Sequence, residues 1–281
     1  MSLIEILKVI VLGIVEGITE WLPVSSTGHL ILVDEFLKLK ASDDFKEMFD
    51  VVIQLGAILA VIVIYFKKLW PIDRKEDTKK LGWSKDKLIL WGKILIACIP
   101  AAIIGILFDD VIDSIFYNPY VVSITLIIYG IAFIVIEMLH KGKDFKINDL
   151  SELSIRTALI IGVFQVLALI PGTSRSGATI VGAMLIGTNR TVAAEFTFYL
   201  AIPVMLGASL LKVLKFFMDG GVMGATEIVY LLVGMVVAFV VSIVVIKFLM
   251  GYIKKHDFKV FGWYRIVLGA IVLLYFLVLT K

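Results

Sequence analysis

Six stretches of this chain are long and apolar enough to cross a bilayer as helices: about 48–66, 88–108, 119–139, 194–213, 229–250 and 260–280. A hydrocarbon core of ~30 Å needs ~20 residues of helix. Two further apolar regions, 3–38 and 155–187, are each broken midway by a proline followed by hydroxyl residues, LPVSSTGH at 22–29 and IPGTSRSGAT at 170–179. Each half of such a region is too short to cross comfortably, and a re-entrant hairpin, two half-helices meeting at a turn inside the membrane, fits both better than a span. Irregular backbone at that depth is tolerated only where protein buries it or where it lines a cavity. The expected fold is therefore an all-α integral membrane protein of six full transmembrane helices and two re-entrant helical hairpins. Composition agrees: 60% of the 281 residues are hydrophobic and 18% charged, against ~45–50% and ~25% in soluble domains. The net charge of +3 gives no reason to expect a nucleic acid partner. One cysteine, Cys98, rules out a disulfide framework and a cysteine-based metal site. The segment MSLIEILKVIVLGIVEG has no small-residue cleavage site and is read as part of the mature fold.

The order hairpin, span, span, span occurs twice, giving one membrane domain with repeat 1 at about 1–140 and repeat 2 at about 150–281. Pro23 and Pro171 lie 148 positions apart, and PVSSTGH faces PGTSRSG, with Glu16 before one and Gln165 before the other. A unit with an odd number of spans places its second copy upside down, and such inverted repeats put their sites near the midplane between the copies. Loop 67–87 carries eight Lys/Arg and 140–156 four, whereas 109–118 carries none. Basic loops mark the cytoplasmic side. Both termini then lie outside, the first hairpin enters from outside and the second from the cytoplasm, and their tips can meet.

The tips carry the chemistry. Glu16 and Glu20 stand at i, i+4 on one helical face just before the first turn. Two such anions call for a cation, either a divalent metal held through oxygen or an arginine. Ser25, Ser26 and Thr27 are natural N-caps for the helix that follows, and His29 lies just beyond them. A serine, a histidine and a carboxylate around one break make up an activated hydroxyl nucleophile. In PGTSRSGAT, Pro171 and Gly172 end one half-helix, so the next begins with unpaired N–H groups at the positive end of its dipole. Ser174, Ser176 and Thr179 add short donors, and Arg175 a planar fork suited to phosphate oxygens. A charge at this depth is costly, by ~2.5–3.5 kcal/mol on insertion scales. Arg175 is expected to face Glu20 in an empty site and a phosphate in a filled one. There is no Walker A pattern, so the inferred anion is a lipid phosphate or diphosphate and not a nucleotide.

EGITEWLPVSSTGHLIL and PGTSRSGATI closely resemble the two signature motifs of the undecaprenyl-diphosphatase family, also called bacitracin-resistance proteins, and the likeness extends over the whole chain. The resemblance implies hydrolysis of undecaprenyl diphosphate to undecaprenyl phosphate and inorganic phosphate. That reaction recycles the lipid carrier for cell-wall synthesis and confers bacitracin resistance. It also implies a multi-pass protein of the bacterial inner membrane among membrane lipids, a homodimer, an active site open to the outer, periplasmic side, and dependence on Mg²⁺ or Ca²⁺. Glu16 and Glu20 match the paired acidic motif, which includes any metal role. Ser26 matches the proposed nucleophile and His29 its acid/base partner. Arg175 is placed with the catalytic residues and with Ser25, Thr27, Gly172, Thr173, Ser174, Ser176 and Thr179 in the phosphate-binding set. Trp21 stands where Phe is commoner, which alters packing near Glu20.

In the expected mechanism Ser26 attacks the terminal phosphorus while Glu20 or His29 takes its proton. In the competing version a glutamate or His29 activates water directly. A secondary transporter or lipid-phosphate flippase without hydrolysis is the alternative from another class, and lipid flipping alongside hydrolysis stays open. Transport alone would not need a serine nucleophile. An intramembrane serine protease would leave Arg175 without a purpose.

Overall fold

The structure, a computed structural model, describes residues 2–74 and 81–278. The tip of the basic loop at 75–80 and the last three residues of the 260–280 span and C-terminus lie outside the described residues. Twelve α-helices are described: α1 (Leu3–Thr19), α2 (Ser26–Leu37), α3 (Asp43–Val52), α4 (Gln54–Ile64), α5 (Phe66–Leu69), α6 (Lys85–Phe116), α7 (Pro119–His140), α8 (Ile155–Val166), α9 (Arg175–Ile186), α10 (Arg190–Met218), α11 (Ala225–Ile253) and α12 (Lys259–Val278). Between α5 and α6, β1 (Ile72–Arg74) pairs antiparallel with β2 (Leu81–Trp83), a short ribbon the sequence analysis did not foresee.

Six units are long and apolar enough to span: Asp43–Ile64, Lys85–Phe108, Pro119–His140, Arg190–Met218, Ala225–Ile253 and Lys259–Val278. They match the expected spans in number and order, and the chain is a multi-pass membrane protein. The first unit is two helices, α3 and α4, interrupted at Ile53. The two regions expected to be hairpins are each two shorter helices around a turn, α1 with α2 and α8 with α9.

Side-chain placement follows a lipid solvent. On α11 a stripe at four-residue spacing, Leu232, Val236, Val240, Val244 and Phe248, points outward, while Gly234, Ala238, Ser242 and Leu249 are buried. On α1 the apolar Leu7, Val11, Ile14 and Ile18 are exposed and Glu5, Gly13, Glu16 and Gly17 are buried. Water would favour the reverse on α1, but hydrocarbon does not.

Helix pairs lie close because small residues leave room. α1 packs on α11 with Gly13 against Gly234 and Val237, and α8 packs on α6 with Gly162 against the Ala97 carbonyl. α7 and α12 cross through Gly130 and Gly262. Such contacts replace the hydrophobic effect, which is lost between helices in lipid. A Cβ at Gly162 would sit 2.1 Å from the Ala97 carbonyl oxygen, and one at Gly56 2.0 Å from that of Met235, whereas Gly92 has open space. Gly162→Val and Gly56→Val are therefore expected to lose about 1–3 kcal/mol through forced backbone shifts, read as a lowered Tm in detergent. Gly92→Ala should leave Tm unchanged.

Candidate active site

The two turns are built alike. α2 begins at Ser26 and α9 at Arg175, and the residue before each, Ser25 or Ser174, has positive φ, +77° and +71°. Each such serine accepts a hydrogen bond on its Oγ from the backbone N–H three residues on, Gly28 at 3.3 Å and Gly177 at 3.2 Å. A left-handed conformation in a residue with a Cβ costs ~1–3 kcal/mol and persists where surroundings enforce it. Helix starts, caps and the Glu16/Gln165 pair all match at 149 positions, one more than the proline spacing, because the second turn has one extra residue between proline and cap. Ser26 and Arg175 thus occupy equivalent first positions of their helices.

Both side chains reach one carboxylate. Ser26 Oγ donates to Glu20 Oε2 at 2.6 Å, and Arg175 Nη2 donates to Glu20 Oε1 at 2.9 Å. Arg175 Nη1 donates to the Thr197 carbonyl at 2.6 Å, and its Nε is buried with no partner. The guanidinium carbon lies 5.9 Å from the Trp21 ring, which meets Phe198 edge-on. Trp21 therefore supplies a buried aromatic wall beside the Arg175–Glu20 pair. Ser176 Oγ donates to the Glu20 carbonyl, Ser174 and Ser176 share a hydrogen bond, and Thr179 bonds Thr197 at 2.9 Å. Glu20, Ser26, Thr27, Gly172, Ser174 and Arg175 line a common cavity of about 160 Å³, with Gln54 and Gln165 in its wall.

His29 is placed differently. Its Nδ1 lies 2.7 Å from the Ser25 carbonyl oxygen and its Nε2 2.7 Å from the Tyr264 hydroxyl, with the two rings stacked. A carbonyl can only accept, so Nδ1 carries the proton and Nε2 accepts from Tyr264. Both nitrogens are engaged away from the Ser26 hydroxyl, and the imidazole braces the strained Ser25. Ser25 and Thr173 are themselves buried in the turns.

One group escaped the sequence analysis. Arg265 of α12, with no exposed surface, donates to the carbonyls of Pro23 (3.1 Å), Gly172 (2.7 Å) and Thr173 (2.9 Å), and so ties the two turns together. Thr125 of α7 adds a bond to the Pro171 carbonyl. Carbonyls at broken helix ends need such donors in lipid. An arginine inside the 260–280 span was the available signal, by the reasoning that singled out Arg175.

Among the described residues no group of three or more His, Cys, Asp or Glu side chains is placed to hold a metal ion, and the two carboxylates differ in what already engages them. Glu16 is fully buried with both oxygens free of hydrogen-bond partners, while both oxygens of Glu20 are engaged.

Fold and cavity define a polytopic helical membrane protein with a serine, a carboxylate and a guanidinium gathered inside it. The family described as bacitracin resistance protein BacA matches residues 9–271. The chain is similar to the undecaprenyl-diphosphatase of Lachnoclostridium phytofermentans, 64% identical over 277 residues and 99% of each chain. It is 62% identical to that of Desulfitobacterium hafniense over 98% of each chain. It is also 61% identical to that of Enterococcus faecalis over 96% of this chain and 97% of the relative. The chain belongs to the bacitracin resistance protein BacA family.

Proposed function

We propose that this protein hydrolyses undecaprenyl diphosphate to undecaprenyl phosphate and inorganic phosphate, recycling the lipid carrier for cell-wall synthesis and conferring bacitracin resistance. The observation that carries this reading is the chain Ser26–Glu20–Arg175, which joins the first residues of two helices across one cavity. Curated relatives at about 60% identity over nearly full length bear the name of that activity.

Glu20 Oε2 takes the Ser26 proton as Oγ attacks the terminal phosphorus. The bond to the bridging oxygen breaks, and undecaprenyl phosphate leaves. Arg175 and the hydroxyls of Ser174, Ser176 and Thr27 hold the non-bridging oxygens, where the transition state keeps its charge. Capping by Ser25 and Ser174 uses the third amide of each helix and leaves the first two for phosphate. Water then releases phosphate from Ser26, with Glu20 returning the proton. Glu16, with the substrate's own phosphates, would hold Mg²⁺ or Ca²⁺, which when bound supplies neutralisation of the leaving phosphate. His29 acts through the Ser25 turn and holds Ser26 in place.

Two re-entrant hairpins in an inverted repeat complete the reading. The arms α2, α8 and α9 have 12 residues each, or about 18 Å of helix, short of a ~30 Å core. The pairings α1 on α11 and α8 on α6 are what exchanging the repeats would produce. With the basic loops cytoplasmic, the site lies in the inner membrane and opens outward.

Purified protein in detergent is expected to release phosphate from undecaprenyl diphosphate with Mg²⁺ or Ca²⁺, to lose that activity in EDTA and to regain it on metal replacement. No release under any metal condition would overturn the hydrolase in favour of lipid-phosphate transport.

A further inference from the structure

We propose that Gln165 is a substrate-binding residue whose side-chain amide hydrogen-bonds the diphosphate head group, an inference that rests on the hydrolase reading above. Gln165 is 2% exposed, and its Oε1 and Nε2 are both buried with no hydrogen-bond partner. It lines the cavity that holds Glu20, Ser26, Ser174 and Arg175. Buried polar groups in native proteins are almost always paired, and an unpaired one costs stability. Trp21 Nε1, Arg175 Nε and Thr188 Oγ1 are the other single buried atoms without a partner among the described residues, whereas three buried carboxylates near helix ends follow the rule. Glu5 is met by Lys8 and the Lys40 amide, Glu137 by Arg190 and the Phe258 amide, and Glu195 by Lys68 and Tyr199.

Gln165 is not loose. One turn earlier Gly162 is pressed on the Ala97 carbonyl of α6, and the adjacent Phe164 fills the space over Gly182 of α9. The backbone is therefore fixed on both sides, and the amide is kept at the cavity wall with nothing from the protein to bond. Its counterpart 149 residues earlier, Glu16, is buried and unpartnered in the same way. Of these two matching side chains Gln165 is the one that lines the cavity, so a ligand bound there is placed to satisfy its amide. The Gln165 amide has two N–H donors for a non-bridging phosphate oxygen. Its Oε1 accepts from a phosphate hydroxyl or a water. A second carboxylate at this position would repel the diphosphate.

This arrangement opposes stability to binding, which separates it from a structural role. Gln165→Leu removes polar atoms that the empty protein leaves unpaired, so Tm without ligand should stay equal or rise. KM for undecaprenyl diphosphate should rise about tenfold, the size of one lost neutral hydrogen bond, with kcat within threefold. Gln165→Glu should raise KM at least 30-fold. The upward Tm shift that methylenediphosphonate, a non-hydrolysable diphosphate, gives the wild-type protein should disappear in both variants. The inference is overturned if Gln165→Leu keeps the wild-type KM and Tm shift. It is equally overturned if that variant loses several degrees of Tm without ligand and activity falls in proportion. Wild-type protein that releases no phosphate defeats the hydrolase reading itself, whereas normal wild-type turnover with unaffected Gln165 variants defeats only this inference.

Discussion

Arg175→Ala is expected to lower kcat/KM for undecaprenyl diphosphate by about a thousandfold or more, equivalent to ~4 kcal/mol of transition-state stabilisation. Two losses combine. The phosphate loses a planar, charged donor in a water-poor cavity, where one preorganised donor alone is worth ~10²–10³ in rate. Glu20 also loses its partner, in a pair whose side chains are 10% and 6% exposed. An uncompensated buried charge destabilises by ~3–5 kcal/mol and stands where the phosphate must come. Folding and catalysis therefore need separate readouts. Arg175→Lys keeps the charge but cannot bond Glu20, the Thr197 carbonyl and a phosphate in one plane. It should hold Tm within a few degrees of wild type while kcat/KM still falls at least 30-fold. The double variant Arg175→Met, Glu20→Gln should recover much of the Tm lost in Arg175→Ala and recover no activity. If Arg175 served only to neutralise Glu20, Arg175→Lys would stay active, and that outcome would sink the phosphate clamp.

The gross fold was legible in the sequence because a bilayer imposes a length on every crossing, and six apolar runs of that length stand clear in the chain. Breaks at Pro23 and Pro171 were equally plain, since proline removes a donor and hydroxyls cap the helix that restarts. Which residues meet was less so. The sequence left Glu20 and His29 both open as the base for Ser26, because residues three apart on a helix share a face without their functional atoms having to touch. The carbonyl of left-handed Ser25 captures the imidazole, and Glu20, before the turn, takes the hydroxyl instead. Aligning prolines paired Ser26 with Ser174, and only the caps reveal that Ser26 corresponds to Arg175. Arg265 was hidden for a different reason. Its hydrogen-bond partners are four main-chain carbonyls, those of Pro23, Leu126, Gly172 and Thr173, which leave no partner side chain to find in the sequence. The ribbon β1–β2 lies in a loop whose sequence shows mainly its charge.

Ser26→Ala is expected to lower kcat by at least a thousandfold. The 2.6 Å O–H···O bond from Ser26 to Glu20 is short, as a hydroxyl bonded to a carboxylate should be. It already aligns the proton with its acceptor, and general base catalysis of this kind contributes ~10²–10⁴. Losing the nucleophile removes that contribution and the covalent step with it. The substitution leaves Glu20 Oε2 without its donor, at a cost of ~1–3 kcal/mol in stability, so Tm should fall by a few degrees while the protein stays folded. KM should change little, because Arg175, Ser174 and Ser176 still hold the phosphates. Glu20→Gln should slow kcat by a similar order with Ser26 intact, since an amide cannot take the proton. Acid-quenched wild-type protein turning over substrate labelled at the terminal phosphate should carry label on Ser26, and Ser26→Ala should carry none. Near-normal turnover by Ser26→Ala would exclude the serine nucleophile and leave Glu20 as a base that activates water directly. In that case Glu20→Gln alone should abolish activity, so the pair of variants decides between the two routes whichever way Ser26→Ala falls.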